Sequence, residues 1–123
     1  MITLDTGALT ALEHREPRML RIVDAAAQID ARITVPTVVL AEWSRGRLFV
    51  NMRRLFEGVE LEPLNPDLAF MAGEAQLFVK GVTAHAAIVV ASAAQRGDTI
   101  FTSDVQAFSK LAHYFRRVRV LPV

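Results

Sequence analysis

Apolar residues recur along the chain in two alternating patterns, short β-branched runs and longer stretches with helical spacing. The short runs predict strands at Ile2–Leu4, Arg32–Val35, Val59–Glu62, Thr99–Phe101 and Val118–Leu121. The longer stretches predict helices at Ala8–Leu12, Pro17–Ile29, Thr37–Gly46, Leu48–Phe56, Pro66–Val79, Ala84–Arg96 and Val105–Phe115. Because strands and helices alternate, the pattern predicts an α/β fold with a short central parallel sheet flanked by helices on both faces.

The composition is typical of one globular domain. The chain has 123 residues, of which 52% are hydrophobic and 22% are charged, so it can bury a core and is too apolar for disorder. No repeat, low-complexity tract or linker divides the sequence, which predicts a single domain over residues 1–123. No signal-peptide pattern or apolar run of roughly 20 residues is present, so we expect a cytoplasmic protein without a membrane partner.

Charge and cysteine content exclude several kinds of chemistry. Fourteen basic against thirteen acidic residues give a net charge of +1, so only local basic patches remain available to nucleic acid. The absence of cysteine excludes thiol catalysis and leaves oxygen or imidazole as metal ligands. Glycine-rich phosphate loops and the Gly-x-Ser-x-Gly motif are missing. His14, His85 and His113 are scattered, and we interpret them as exposed or packed helix residues.

Acidic residues stand where a parallel sheet places a ligand site. Asp5 follows the first predicted strand and Asp104 follows the strand near residue 100, and the carboxyl ends of parallel strands meet at one edge of a sheet. Glu42 lies in an otherwise apolar helix, where a carboxylate needs a partner or a cation. Mg²⁺ or Mn²⁺ takes oxygen ligands and makes bound water more acidic. The three acids therefore indicate phosphodiester hydrolysis.

Structural roles account for the same three residues equally well. Asp5 and Asp104 each precede a predicted helix and are good N-caps. Glu42 is spaced to pair with Arg45 on one helix face. Position and charge alone leave both interpretations open.

Three motifs resemble those of the PIN-domain ribonucleases, and in particular the VapC-type toxins of bacterial toxin–antitoxin pairs. Leu4–Leu9 resembles the family's opening strand with its first acid, Val39–Trp43 resembles its second acid, and Ile100–Asp104 resembles its final Thr-x-Asp signature. The motifs occur in the family's order and span nearly the whole chain. The resemblance implies a PIN-like fold and a Mg²⁺- or Mn²⁺-dependent endoribonuclease that cleaves tRNA or another structured RNA. It assigns the metal ligands to Asp5, Glu42 and Asp104, with support from Thr6 and Thr102.

One position departs from the family pattern. The family carries a further aspartate at the start of the helix before the last signature, and an ungapped alignment through Gly97 and Asp104 places Ala86 there. Shifting the alignment by one or three residues would place His85 or Thr83 there instead, at the cost of a gap. Our hypothesis is that Ala86 is either a deliberate Asp→Ala change that silences the enzyme, which we favour, or the mark of a naturally weakened relative. Either way, a missing carboxylate lowers metal affinity.

Arginine dominates the basic residues and forms a patch suited to phosphate. Twelve of the fourteen cations are arginine, whose planar guanidinium binds phosphate through paired hydrogen bonds. A solvated helix face is the alternative explanation. The predicted RNA-binding patch contains Arg45, Arg47, Arg53 and Arg54, and a second patch contains Lys110, Arg116, Arg117 and Arg119.

The resemblance also implies protein partners, namely a second copy of the chain in a homodimer and a VapB-like antitoxin that covers the active-site groove. An apolar stripe around Trp43, Leu48, Phe49 and Met52 belongs either to such an interface or to the core.

Two other functions compete with the nuclease. A catalytically dead PIN-like module that binds RNA or a protein partner is consistent with Ala86. A phosphoryl-accepting receiver-like domain would need an acidic pair at the end of the first strand, which the sequence lacks.

Overall fold

The computed structural model describes residues 1–47 and 53–123. The strands are β1 (Ile2–Leu4), β2 (Ile33–Pro36), β3 (Glu60–Glu62), β4 (Thr99–Thr102) and β5 (Arg119–Pro122). The α-helices are α1 (Thr6–Glu13), α2 (Pro17–Gln28), α3 (Thr37–Trp43), α4 (Pro66–Phe78), α5 (Ala84–Arg96) and α6 (Val105–Phe115), and Arg53–Phe56 forms a 3-10 helix. The α/β class predicted from the alternating pattern is confirmed.

The five strands form one parallel sheet in the order β3-β2-β1-β4-β5. The chain moves from β1 outward to β3, crosses back, and continues from β4 to β5. Because crossovers between parallel strands are right-handed, this reversal places α1 to α3 on one face and α4 to α6 on the other. The direction changes between β1 and β4, which is where α/β sheets open a crevice for ligands.

Helix α5 is the central helix of its face. It packs against α4 and α6 and across β1, β2 and β4, and its residues from Ala86 to Ala94 are buried except for the half-buried Ile88. Small side chains let a helix that is enclosed on several sides approach the sheet closely, which explains the alanine-rich sequence. Gly97 ends α5 with a left-handed backbone (φ 70°), as the sequence predicts for a C-cap.

The element boundaries differ from the predictions in a few places. Helix α3 ends at Trp43 instead of Gly46, because the chain turns at Ser44 and passes through a positive φ of 78° at Gly46. Strand β2 extends through Pro36, which pairs with Glu62 at the strand's end, where the missing N–H is tolerated. The predicted helix at Leu48–Phe56 lies partly outside the described residues, and its last four residues form the 3-10 helix.

No helix within the described ranges is both long enough and apolar enough to cross a bilayer.

A buried network of charges ties the amino ends of β1 and β4 together. The Asp98 carboxylate accepts hydrogen bonds from the Thr3 hydroxyl (2.8 Å), from Arg96 Nε (2.8 Å) and from the N-terminal ammonium. Arg96 also pairs with Glu62 and donates to the Thr3 hydroxyl at 3.0 Å. Burial alone would raise the pKa of Asp98, but these hydrogen bonds outweigh it and lower that pKa below 3.8.

Gly7 lies very close to Ser103, which belongs to the other half of the chain. It lies in the first turn of α1, beside the turn that follows β4. A Cβ at this position would lie 2.7 Å from Ser103 Cβ and 2.9 Å from the Ser103 backbone nitrogen. Only glycine lets α1 begin this close to β4, so close packing explains the glycine of the Asp-Thr-Gly sequence.

We predict that Gly7→Ala lowers the free energy of unfolding by about 1–3 kcal/mol, because the added methyl forces the Ser103 backbone away. Gly73→Ala is the matched control, since nothing lies within 4 Å of a Cβ at that position in α4. The control is expected to stabilise the protein by about 0.5–1 kcal/mol. Urea unfolding of both variants measures the difference, and equal effects would contradict the close contact.

We predict that Asp98 contributes stability at neutral pH that is lost in acid. Its pKa is lower in the folded than in the unfolded state, so this contribution is present above pH 3.8 and disappears as the pH falls through the folded value. Asp98→Asn therefore lowers the free energy of unfolding by about 3 kcal/mol at pH 7, and the gap from the wild type narrows below pH 3.8. Asp24→Asn, at an exposed site, serves as the control in urea titrations across pH.

Candidate active site

A cavity of about 630 Å³ opens at the carboxyl ends of β1 and β4, at the point where the strand order reverses. Ala86 lines it together with four carboxylates, which belong to Asp5, Glu16, Glu42 and Asp104. The structure thus brings the three acids predicted from the sequence, and the position of the missing one, to a single cavity. These carboxylates give the cavity a negative potential that favours cations.

Asp5 is the most enclosed acid of the cavity, with 5% of its surface exposed. Its backbone caps α1, but its side chain makes no capping hydrogen bond. One carboxylate oxygen accepts a hydrogen bond from the Thr102 hydroxyl at 2.8 Å, and the other lies 3.0 Å from His85 Nε2. The Asp5 carboxylate therefore belongs to the cavity and not to the helix end.

Thr102 links the residues that follow β1 and β4 through hydrogen bonds. Its buried hydroxyl donates to Asp5 and accepts a hydrogen bond from the Asp104 backbone N–H at 3.0 Å. A hydroxyl that donates to one group and accepts from another fixes the positions of both. The supporting role predicted for Thr102 stays a prediction, and the structure places its hydroxyl between the two acidic residues.

Asp104 and Thr6 are less engaged with the other acids. Asp104 is exposed, and its carboxylate accepts a hydrogen bond from the Ala107 N–H at 3.3 Å, which is the N-cap role considered from the sequence. Thr6 lines the cavity, and its buried hydroxyl has no hydrogen-bond partner among residues 1–47 and 53–123.

Glu42 contacts a histidine instead of the arginine considered from the sequence. Its carboxylate lies 3.0 Å from His85 Nδ1, and within the described residues Arg45 makes no ion pair with it. The ring of His85 thus has a carboxylate beside each of its nitrogens, Asp5 at one and Glu42 at the other. The hydrogen bond to Asp5 raises the pKa of His85 above 6.5; partial burial opposes the shift, and the charges of Asp5 and Glu42 add to it.

Ala86 is nearly buried, with 4% of its surface exposed, and lies in the first turn of α5. Its backbone N–H donates to the Thr83 hydroxyl at 3.1 Å, which makes Thr83 the N-cap of the helix. The three positions considered for the family's aspartate therefore have distinct places. Thr83 caps the helix, His85 contacts the acids, and Ala86 faces the cavity with a methyl group.

His85 is the residue of this site that the sequence interpretation missed. Its partners are 80 and 43 positions away in the sequence, so no local pattern could reveal them. One signal in the sequence pointed to it. His85 directly precedes Ala86, the position that the family pattern assigns to an aspartate, so it lies in a helix turn expected to face the site.

The residues present do not fit a bound Mg²⁺ or Mn²⁺ ion as they stand. Throughout the described part of the chain, no group of three or more His, Asp or Glu side chains is arranged to hold a metal. His85 lies against both Asp5 and Glu42, and Asp104 is directed toward its own helix end. Mg²⁺ requires several oxygens at about 2.1 Å in near-octahedral positions, and this arrangement does not provide them.

The predicted arginine patch is only partly available to an external phosphate. Arg45 and Arg54 are exposed. Arg47 pairs with Glu13 and lies 4.5 Å above the Trp43 ring. The side chain of Arg53 lies outside the described part of the structure.

The apolar stripe around Trp43 is described in part. Trp43 is buried and contacts Phe56 edge to face, with ring centroids 5.7 Å apart, so it serves the core. Leu48, Phe49 and Met52 fall outside the described residues.

No family model and no curated protein matches the sequence. Solved structures do match it. A chain of VapBC2 from Rickettsia felis, bound to a DNA fragment from their promoter, aligns with a TM-score of 0.79 and 14% identity, covering 100% of this chain and 99% of that one. A chain of FitAcB from Neisseria gonorrhoeae aligns with a TM-score of 0.77 and 20% identity, covering 98% and 96%.

A chain of a toxin–antitoxin complex from Klebsiella pneumoniae aligns with a TM-score of 0.68 and 15% identity, covering 89% of this chain and 91% of that one. At these identities the likeness establishes the fold. It agrees with the resemblance to VapC-type PIN domains drawn from the sequence motifs.

We predict that Thr102→Val lowers the free energy of unfolding by about 1–3 kcal/mol, because it removes the donor to Asp5 and the acceptor of the Asp104 N–H. Thr34→Val is the matched control, since the buried Thr34 hydroxyl has no hydrogen-bond partner in the described residues. That control is expected to be neutral or stabilising. Urea unfolding compares the two, and an equal loss in both would argue against the Thr102 bridge.

Proposed function

We propose that this chain is the toxin of a toxin–antitoxin pair, with the active site of a metal-dependent endoribonuclease that is incomplete at position 86. The observation that carries the proposal is the convergence of Asp5, Glu42, Asp104 and Ala86 on one cavity at the switch point of the sheet. The resemblance of the sequence motifs assigns the same four positions to one site without reference to their proximity in space.

The charges of the cavity support weak or absent cleavage in this chain. RNA hydrolysis requires a positive charge to neutralise the phosphate and a means of activating water. Four carboxylates line the cavity, and within the described part of the chain His85 is the one basic side chain among its lining residues. A phosphodiester entering this negative cavity is repelled, so catalysis belongs to a form with aspartate at position 86 and a Mg²⁺ or Mn²⁺ ion. In that form the ion would supply the missing positive charge.

An antitoxin partner follows from the resemblance and is supported by the comparisons. The matched structures include VapBC, FitAcB and a complex named as toxin–antitoxin, which supports a VapB-like antitoxin as a partner of this chain. The homodimer, the RNA substrate and the cytoplasmic location remain part of the proposal. The exposed Arg45 and Arg54 are the described members of the proposed RNA-binding patch.

A second candidate function is favoured by two residues of the cavity. Ala86 cannot ligate a metal, and His85 contacts two of the remaining acids. A protein with this cavity can retain the shape of a PIN domain and bind RNA or an antitoxin without cleaving anything. The following experiment separates this binding module from a silenced nuclease.

We predict that Ala86→Asp raises Mg²⁺-dependent cleavage of tRNA by about 10–100-fold, the range associated with restoring a lost metal-site interaction. The new carboxylate would stand in the first turn of α5, where an acid is also favoured by the helix dipole. Ala84→Asp is the matched control, because it adds the same charge to the same turn at an exposed residue that does not line the cavity.

Cleavage is measured with and without EDTA, and RNA affinity is measured in parallel. A folded Ala86→Asp variant that binds RNA and cleaves none would overturn the nuclease and leave the binding module. Equal gains in the Ala84→Asp control would show that the effect is not specific to the cavity.

A further inference from the structure

His85 has contacts that a divalent cation would otherwise make. One ring nitrogen lies 3.0 Å from an Asp5 oxygen and the other lies 3.0 Å from a Glu42 oxygen. The side chain is 21% exposed, so it sits within the mouth of the cavity and not on the open surface. The imidazole ring therefore separates the two carboxylates predicted to share a metal.

The helix turn that carries His85 is held in place by its cap and by its neighbours. His85 belongs to the first turn of α5, which the Thr83 hydroxyl caps through the Ala86 N–H at 3.1 Å. The neighbouring residues Ala86 and Ala87 are buried against the core. The backbone from which the His85 side chain extends is therefore held in place, and from it the ring reaches both carboxylates.

Both oxygens of Asp5 are occupied in this arrangement. One accepts from the Thr102 hydroxyl at 2.8 Å and the other faces His85. An ion binding to Asp5 would have to replace one of these contacts. Because the carboxylate is nearly buried, losing His85 without replacement leaves a charge with too little solvation, and a cation is then strongly favoured there.

We propose that His85 takes the place of the divalent cation between Asp5 and Glu42, so that this cavity binds metal more weakly than it would without the imidazole. The proposal concerns the same cavity as the proposed function, but it rests on the His85 contacts and needs no RNA. It makes His85 an obstacle to metal that is separate from the missing carboxylate at Ala86.

Binding of Mn²⁺ to the folded protein tests this proposal, with calorimetry and electron paramagnetic resonance at one fixed pH. His85→Ala is expected to lower the Kd for Mn²⁺ by about tenfold or more, the effect associated with groups that control a metal site. His113→Ala is the control, because His113 is exposed on α6 and does not line the cavity. His85→Gln retains a polar side chain and is expected to give a smaller gain.

Tight Mn²⁺ binding by the wild-type protein, or identical Kd values for the wild type and His85→Ala, would overturn the proposal. If His85→Ala does not fold, the wild type still decides the matter by NMR. Millimolar Mn²⁺ should leave the ring signals of His85 sharp, and their broadening by the bound paramagnetic ion would count against the inference. RNA cleavage plays no part in these measurements, so failure here is distinguishable from failure of the proposed nuclease.

Discussion

The pairing of β1 with β4 determines where the acidic cavity of this protein lies. The N–H of Asp5 donates to the carbonyl of Phe101 at 3.1 Å, although the two residues are far apart in the sequence. This parallel register places Asp5 beside Thr102, and the hydroxyl of Thr102 then holds both the Asp5 carboxylate and the Asp104 backbone. The close approach of Gly7 to Ser103 permits the register, since a larger residue would push α1 away from β4.

The two ends of the β1–β4 pair differ in their balance of charge. At the amino ends, Asp98 is matched by Arg96 and the N-terminal ammonium, and Arg96 also pairs with Glu62 at the end of β3, so these charges cancel among themselves. At the carboxyl ends, four carboxylates and one imidazole of the described residues line the cavity. Removing one partner of a buried ion pair is strongly destabilising, whereas carboxylates in excess of cations create a negative potential that attracts a cation. The first end is structural and the second is suited to binding.

Much of the fold was predictable because its signals are local. Short β-branched runs, Gly97 as a C-cap and the position of Asp5 and Asp104 after strands are all visible within a few residues of sequence. Contacts between distant residues were not visible. His85 meets Asp5 and Glu42 only through the packing of α5 on β1 and α3, and Arg47 meets Glu13 only because α3 lies beside α1. The local sequence pattern thus indicated where the acids lie along the chain, and the structure shows which distant residues contact them.

The edge strands of the sheet also affect how another protein can bind. Strand β3 carries the charged Glu60, paired with Arg32 at 3.4 Å, and strand β5 ends in Pro122, whose carbonyl accepts hydrogen bonds from Arg18. Charged side chains, a proline and a blocked carbonyl disfavour the addition of another strand at either edge. Edge-to-edge association of two sheets is disfavoured for the same reason, which leaves the helical faces and the acidic cavity as the surfaces better suited to a binding protein.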